Sequence, residues 1–143
     1  EEGDLVLKGA NAVNLQQRNA AVYIGHPQAG TIGAALPAVV GRRVRLIVPV
    51  GLEKRVFEPI DRLAAAVNAP GASGPRMMPL PGEVFTEIEA LGLLSGAEVR
   101  LLAGGGVYGA EGAVYLGVSG SAQQEASAAA AMESVSDEPP CEG

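Results

Sequence analysis

Three stretches of this sequence place chemically useful side chains beside glycines that would let a ligand approach the backbone. The first, Gly25-His26-Pro27-Gln28-Ala29-Gly30-Thr31, follows one apolar run and precedes another with helical spacing. Backbone N–H groups at a strand-to-helix junction of this kind hold anions, and Thr31 adds a hydroxyl where an N-cap is wanted. The Gly-Lys-Thr ending of a Walker A loop is missing and the glycine spacing is not that of a dinucleotide fingerprint, so neither nucleotide class is expected. The second stretch, Gly51-Leu52-Glu53-Lys54-Arg55, comes directly after the most strand-like run. There Lys54 and Arg55 could bind a carboxylate or phosphate while Glu53 serves as base or nucleophile, which makes Glu53 and Lys54 the catalytic candidates. The third is Gly104-Gly105-Gly106, with Glu111 and Gly112 nearby. Consecutive glycines cost roughly 0.5–1 kcal/mol each in regular structure, so they imply a sharp bend or a close approach. Gly30, Thr31, Arg55, Gly104, Gly105 and Gly106 are therefore the ligand-binding candidates of these stretches. Each stretch also has a plain structural explanation: a tight turn, a surface ion-pair network and a tight hairpin.

Other chemistry is poorly served. His26 is the sole imidazole and Cys141 the sole thiol, which leaves no cluster for zinc, no internal disulfide and no support for a Ser-His-Asp triad. No metal and no cofactor is expected. The net charge of -6 is uneven: residues 119–143 hold five acids and no Lys or Arg, so the rest of the chain is nearly neutral. Arg42, Arg43, Arg45, Lys54, Arg55 and Arg62 cluster within one stretch, which fits a solvated face or a small anionic ligand. An acidic pI near 4.7 and 3% aromatic content argue against a nucleic-acid partner. No apolar run approaches a membrane span and no secretory signal is visible, so no membrane partner and a cytoplasmic location are expected. The chain begins at Glu1 rather than Met, as expected of one trimmed or cut from something longer.

These candidates need elements to hold them. Asp4 to Lys8 and Asn19 to Gly25 read as strands joined by a long polar connection. A helix over Ile32 to Val40 follows, with Pro37 inside it to kink or shorten it and Gly41 closing it. Val44 to Val50 is nearly continuous in apolar character, as a central parallel strand buried on both faces requires. Phe57 to Asn68 and Gly82 to Leu94 read as helices, the latter with Val84, Ile88 and Leu91 on one stripe. Arg76 to Leu80 is a short edge strand, Glu98 to Leu102 and Ala113 to Val118 are strands, and Gln123 to Val135 is an Ala-rich helix. The order predicts an α/β fold: a layered sheet with helices on both faces and strand-strand-helix units at each end of the chain. Ala21-Val22-Tyr23-Ile24-Gly25 and Ala113-Val114-Tyr115-Leu116-Gly117 echo each other within those units. Residues 1–135 are expected to form a single domain and residues 136–143 a flexible acidic tail.

Lys8-Gly9-Ala10-Asn11-Ala12-Val13, the Gly30-Thr31 turn and Leu46 to Val50 leading into Gly51-Leu52-Glu53-Lys54-Arg55-Val56 resemble lactate-utilisation (LUD-type) proteins. These sit within the wider superfamily of sugar-phosphate isomerases and CoA-transferases. The resemblance covers residues 4–56 and implies an α/β fold that binds a phosphorylated sugar, organic acid or acyl carrier, with Asn11, Glu53 and Lys54 near the pocket. The leading expectation is accordingly the binding of a small anionic metabolite, with isomerase-like or transferase-like chemistry left open. The alternative is a non-catalytic oligomeric scaffold in which the glycines only permit close packing. Because small side chains remove little apolar area from water, a homo-oligomer is expected on either reading, joined through Leu46 to Val50 and the Ala-rich helix.

Overall fold

A computed structural model of the chain describes residues 3–139, so Cys141 and the last part of the expected acidic tail lie outside the described residues. The described residues divide into two compact units, one ending at Thr86 and one starting at Glu87. The expected mixed α/β character is what the chain adopts, with its strands shared among three small sheets.

In the first unit the central strand is the one its apolar run suggests. β1 (Leu5–Leu7), β2 (Ala12–Asn14) and β3 (Asn19–Ile24) come first, then helix α1 (Gly30–Val39) and strand β4 (Arg45–Pro49). β4 lies between β1 and a later strand, β6 (Glu83–Phe85), and pairs in parallel with both. It is not buried on both faces as expected: Leu46 and Val48 point into the core while Arg45 and Pro49 are exposed. Only half of its side chains face protein, so the alternation is that of a sheet covered on one side. Leu46 and Val48 are thus already consumed inside the unit and offer nothing to a second copy.

The second sheet runs β2-β3-β5, antiparallel throughout, with β5 (Arg76–Pro79) at one edge, as Arg76 to Leu80 suggests. Its two faces feed two cores. Ala20, Val22 and Ile24 of β3 meet Leu46, Val48 and Val84 of the parallel sheet together with Ile32 of α1. Ala21 on the opposite face meets Ile60 and Ala64 of helix α2 (Ile60–Val67) and Met77 of β5. The small residues at Ala12, Ala20 and Ala21 let these layers approach closely, which is how a core with few aromatics is filled.

Two readings need correction here. Gly82 to Leu94 is not one helix: Glu83–Phe85 is β6, and helix α3 (Glu87–Ser95) begins only after the buried Thr86. Val84 falls on the helical stripe with Ile88 and Leu91 by spacing alone, and the parallel partner β4 claims it. Phe57 to Pro59 also precede α2 rather than starting it; Asn14 holds this segment by donating from Nδ2 to the carbonyl oxygens of Phe57 and Glu58.

α2 is tied to β5 by Asn68, which donates from Nδ2 to the Met77 carbonyl oxygen at 2.7 Å and accepts from the Met77 N–H at 2.9 Å. The amide thus takes the place of a neighbouring strand. Asn68→Ala is expected to lower stability by about 1–2 kcal/mol, since it frees both backbone groups of a buried residue. An unchanged urea midpoint would show that water replaces the amide at no cost.

The second unit is built from α3, β7 (Glu98–Gly104), β8 (Val114–Ser119) and α4 (Ala122–Ser134). β7 and β8 form a two-stranded antiparallel sheet with an irregularity at Leu102. α4 begins at a capping box that the Ser121-Ala122-Gln123-Gln124 spacing could have signalled: the Ser121 hydroxyl accepts from Gln124 N–H, and Gln124 Oε1 accepts from Ser121 N–H at 2.8 Å. Gln124 also donates to the Gly96 carbonyl oxygen at 2.7 Å, which holds the start of α4 to the end of α3. Hairpin-then-helix therefore occurs at both ends of the chain, as β2-β3-α1 and β7-β8-α4. The first hairpin is made with Ala12–Asn14 rather than with Leu5–Leu7, which pairs with β4 instead.

Candidate functional site

β3 ends at Ile24, and the chain turns through Gly25 to Ala29 into α1. The entry does not use Thr31 as a cap, contrary to the sequence expectation: Ala29 occupies that position with φ 61° and no side-chain cap bond, and Gly30 follows with φ 56°. Two left-handed residues in succession turn the strand into the helix without a capping side chain, leaving Thr31 exposed in the first turn. The turn is braced by Ala29 N–H to the His26 carbonyl oxygen at 3.0 Å and by Gln28 N–H to His26 Nδ1 at 3.2 Å. With Nδ1 accepting, the neutral ring carries its proton on Nε2 and presents a donor there.

Two hollows meet at this turn. One, of about 150 Å³, is lined by Lys8, Tyr23, Gly25, His26, Gly30 and Thr31 over a floor that includes the buried Ile32. The other, about 530 Å³ and more open, shares His26, Gly30 and Thr31 and adds Gln28, Gly33 and Ala34. Lys8 is the only charged residue lining either, and neither contains an Asp or Glu. No acidic residue lies in the first turn of α1. The N–H groups of Gly30, Thr31 and Ile32 have no acceptor among the described residues. Just behind the turn, Arg76 donates to the Gly25 carbonyl oxygen at 2.9 Å. The positive end of a ten-residue helix, an ammonium, a hydroxyl and an imidazole N–H therefore face one small space with no opposing negative charge.

Lys8 is positioned by the parallel pairing of β1 with β4, its N–H donating to the Ile47 carbonyl oxygen at 3.1 Å. Its ammonium lies 3.3 Å from the Gly9 carbonyl oxygen. Composition did not single out Lys8, although a lone cation immediately after an alternating strand was the available signal. Asn11, which the family resemblance implies near the pocket, lines neither hollow but bonds to a residue that does: its Oδ1 accepts from Tyr23 N–H at 2.9 Å and its own N–H donates to Ala21 at 2.8 Å, fastening the start of β2 to β3.

Glu53 and Lys54 lie on a single 3₁₀ turn, Leu52–Lys54, that follows β4. Their carboxylate and ammonium are 3.8 Å apart and both half exposed, and the Glu53 carboxylate folds back over Gly51, which has no Cβ to obstruct it. Arg55 turns its guanidinium to the Leu52 carbonyl oxygen at 3.1 Å, while Val56 N–H donates to Val13 at 2.8 Å. Since β1 and β4 are parallel, this turn and Lys8 leave the same end of the sheet, but Glu53, Lys54 and Arg55 line neither hollow.

Gly104, Gly105 and Gly106 belong to the second unit. Gly104 is the last residue of β7, opposite Val114, and Gly105 N–H donates to Ala113 at 3.0 Å. Gly105 and Gly106 both have φ 141°, and a Cβ at Gly106 would collide with the Ala110 carbonyl. The loop is closed by Glu111, whose carboxylate accepts from Gly109 N–H at 2.9 Å. The requirements of the hairpin account for Gly105 and Gly106.

No group of three or more His, Cys, Asp or Glu among the described residues could hold a metal ion, and no described helix is long and apolar enough to cross a membrane. No protein-family model, no curated protein and no solved structure matches the chain.

Proposed function

We propose that the first unit binds a small anionic metabolite, a phosphate or carboxylate bearer, at the turn between β3 and α1. The observation that carries this reading is the acid-free space shared by Lys8, His26, Thr31 and the uncapped start of α1. Such a space gives an anion a charge-assisted bond from the ammonium together with backbone N–H groups aligned with the helix dipole. The smaller hollow, about 150 Å³, suits the anionic group, and the larger one beside it leaves room for the body of a sugar phosphate or organic acid. The resemblance of residues 4–56 to lactate-utilisation proteins supports the same ligand class, since Lys8 and Gly30-Thr31 fall within it. Isomerase-like or transferase-like chemistry would fall to Glu53 and Lys54, which leave the same end of the sheet as Lys8.

Thermal denaturation with inorganic phosphate, a sugar phosphate, a hydroxy acid and an acyl-CoA tests the reading. A ligand at a hundred times its Kd should stabilise the native unit by about 2.7 kcal/mol. Lys8→Met should weaken that response by about tenfold in ligand concentration, the size of one charge-assisted hydrogen bond. A scaffold would respond to none of these ligands, so unchanged melting at millimolar concentrations of all four would overturn the proposal.

A further inference from the structure

We propose that the outer edge of β8 is a docking edge for the β8 strand of a second copy of this chain, the two joined antiparallel about a two-fold axis so that the sheet becomes four-stranded. The second unit has an incomplete sheet. β7 and β8 are its only strands among the described residues, and its buried apolar residues are few: Leu91, Ala97, Val99 and Ala128. A two-stranded sheet is marginal, and a third and fourth strand would complete it.

The backbone shows which edge is available. Gly105 N–H donates to the Ala113 carbonyl oxygen, so Ala113 faces β7. Alternate residues of an antiparallel strand face the same neighbour, so Tyr115, Gly117 and Ser119 also face β7, while Val114, Leu116 and Val118 direct their N–H and C=O groups outward. Outside the β7–β8 ladder, no backbone hydrogen bond among the described residues involves Val114, Leu116 or Val118. Water or another strand satisfies such a row.

Charge and shape select a second copy. Proteins protect exposed strand edges with charge, proline or a bulge. β7 has the charged Glu98 and Arg100 and an irregularity at Leu102, whereas β8 reads Val-Tyr-Leu-Gly-Val-Ser with none of these. Two β8 strands therefore meet without like-charge repulsion. A two-fold axis at Leu116 sets Leu116 opposite its own counterpart and Val114 opposite Val118, all of them residues with outward backbone groups. The same register sets Tyr115 opposite Gly117. Tyr115 is 57% exposed on the outer face, and Gly117 on that face is covered by the side chain of Leu102, which is itself 67% exposed and whose Cδ1 would lie 2.8 Å from an added Cβ. The Tyr115 ring of one copy is thereby set against the exposed Leu102 that covers Gly117 of the other, and residues facing each other outside the hydrogen-bonded pairs come closest.

Sedimentation velocity of the full chain from about 1 to about 100 µM, a span that reports micromolar association, tests this. The expected mass is twice the 14.4 kDa of one chain. Tyr115→Lys, at an exposed position, should raise the dissociation constant by about tenfold or more by bringing a cation to the shared edge while the far-UV CD spectrum is kept. Leu116→Cys in a Cys141→Ser background should give a disulfide-linked dimer on mild oxidation, because a hydrogen-bonded pair places the two Cα atoms about 5.5 Å apart, within disulfide reach. Ser119→Cys in the same background should not cross-link. A mass that stays at 14.4 kDa, a dimer unaffected by Tyr115→Lys, or a Leu116→Cys chain that remains uncross-linked overturns the proposal.

Discussion

Gly33→Ala is expected to remove the anion response of the first unit and to cost about 1–3 kcal/mol of its stability, the usual range for overpacking. Gly33 lies one turn into α1, and a Cβ there would collide with the Gln28 carbonyl oxygen and stand 3.1 Å from the Ala29 Cβ. The atoms in the way belong to backbone and to a side chain with no rotamer to change, so the turn itself must move. That turn already places Ala29 and Gly30 in left-handed conformations and aims the first N–H groups of α1 into the hollow. Displacing it separates those groups from Lys8. Gly25→Ala is the matched control. It adds the same methyl group at the other end of the same turn, but a Cβ at Gly25 meets nothing within 4 Å and its φ is not positive. Its stability should therefore change by less than about 0.5 kcal/mol. Urea denaturation with and without millimolar phosphate reads both effects. A Gly33→Ala protein as stable and as responsive as Gly25→Ala would show that the turn has slack and that its geometry does not make the site.

What the sequence shows and what it hides follow one physical division. β3, β4 and α4 are visible because a local pattern, alternation or an unbroken run of helix formers, agrees with the tertiary outcome. Ala12–Asn14 and Glu83–Phe85 are invisible as strands because three residues are too few to show a period, and each becomes a strand only by pairing with a segment distant in sequence. The anion site follows the same rule. Its loop, Gly25 to Thr31, could be chosen from glycine spacing and position. Its cation carries a weaker signal: Lys8 ends an alternating strand, but only the parallel pairing of β1 with β4 brings it to this loop. Glycine is ambiguous for a related reason. Gly30 serves a turn that opens on a hollow and Gly106 a hairpin that closes on itself, yet both have positive φ and read alike in sequence.

The first unit should be even more sensitive at Asn14, where Asn14→Leu is expected to cost about 2–4 kcal/mol. Asn14 is 3% exposed and nothing in its neighbourhood of sequence marks it as special. Its Nδ2 donates to the carbonyl oxygens of Phe57 and Glu58 at 3.3 and 3.2 Å, and its Oδ1 accepts from Gln17 N–H at 2.9 Å. One amide thus closes the turn between β2 and β3 and anchors the segment that delivers Ile60 to the core. Leucine matches its bulk but pairs with none of these groups, so three backbone atoms would lose a partner at a part-buried site. Asn14→Asp separates the two roles. A carboxylate can still accept from Gln17 N–H, but it cannot donate to Phe57 and Glu58 and faces their carbonyl oxygens with negative charge. If the link to Phe57 and Glu58 dominates, Asn14→Asp falls as far as Asn14→Leu; if the turn dominates, it stays near wild type. Urea midpoints at constant slope, followed by far-UV CD, measure the order. The separations favour the first outcome, because two carbonyl oxygens are left unpaired against one N–H, and a loss below about 0.5 kcal/mol in Asn14→Leu would remove Asn14 from any account of what holds α2 to the hairpin.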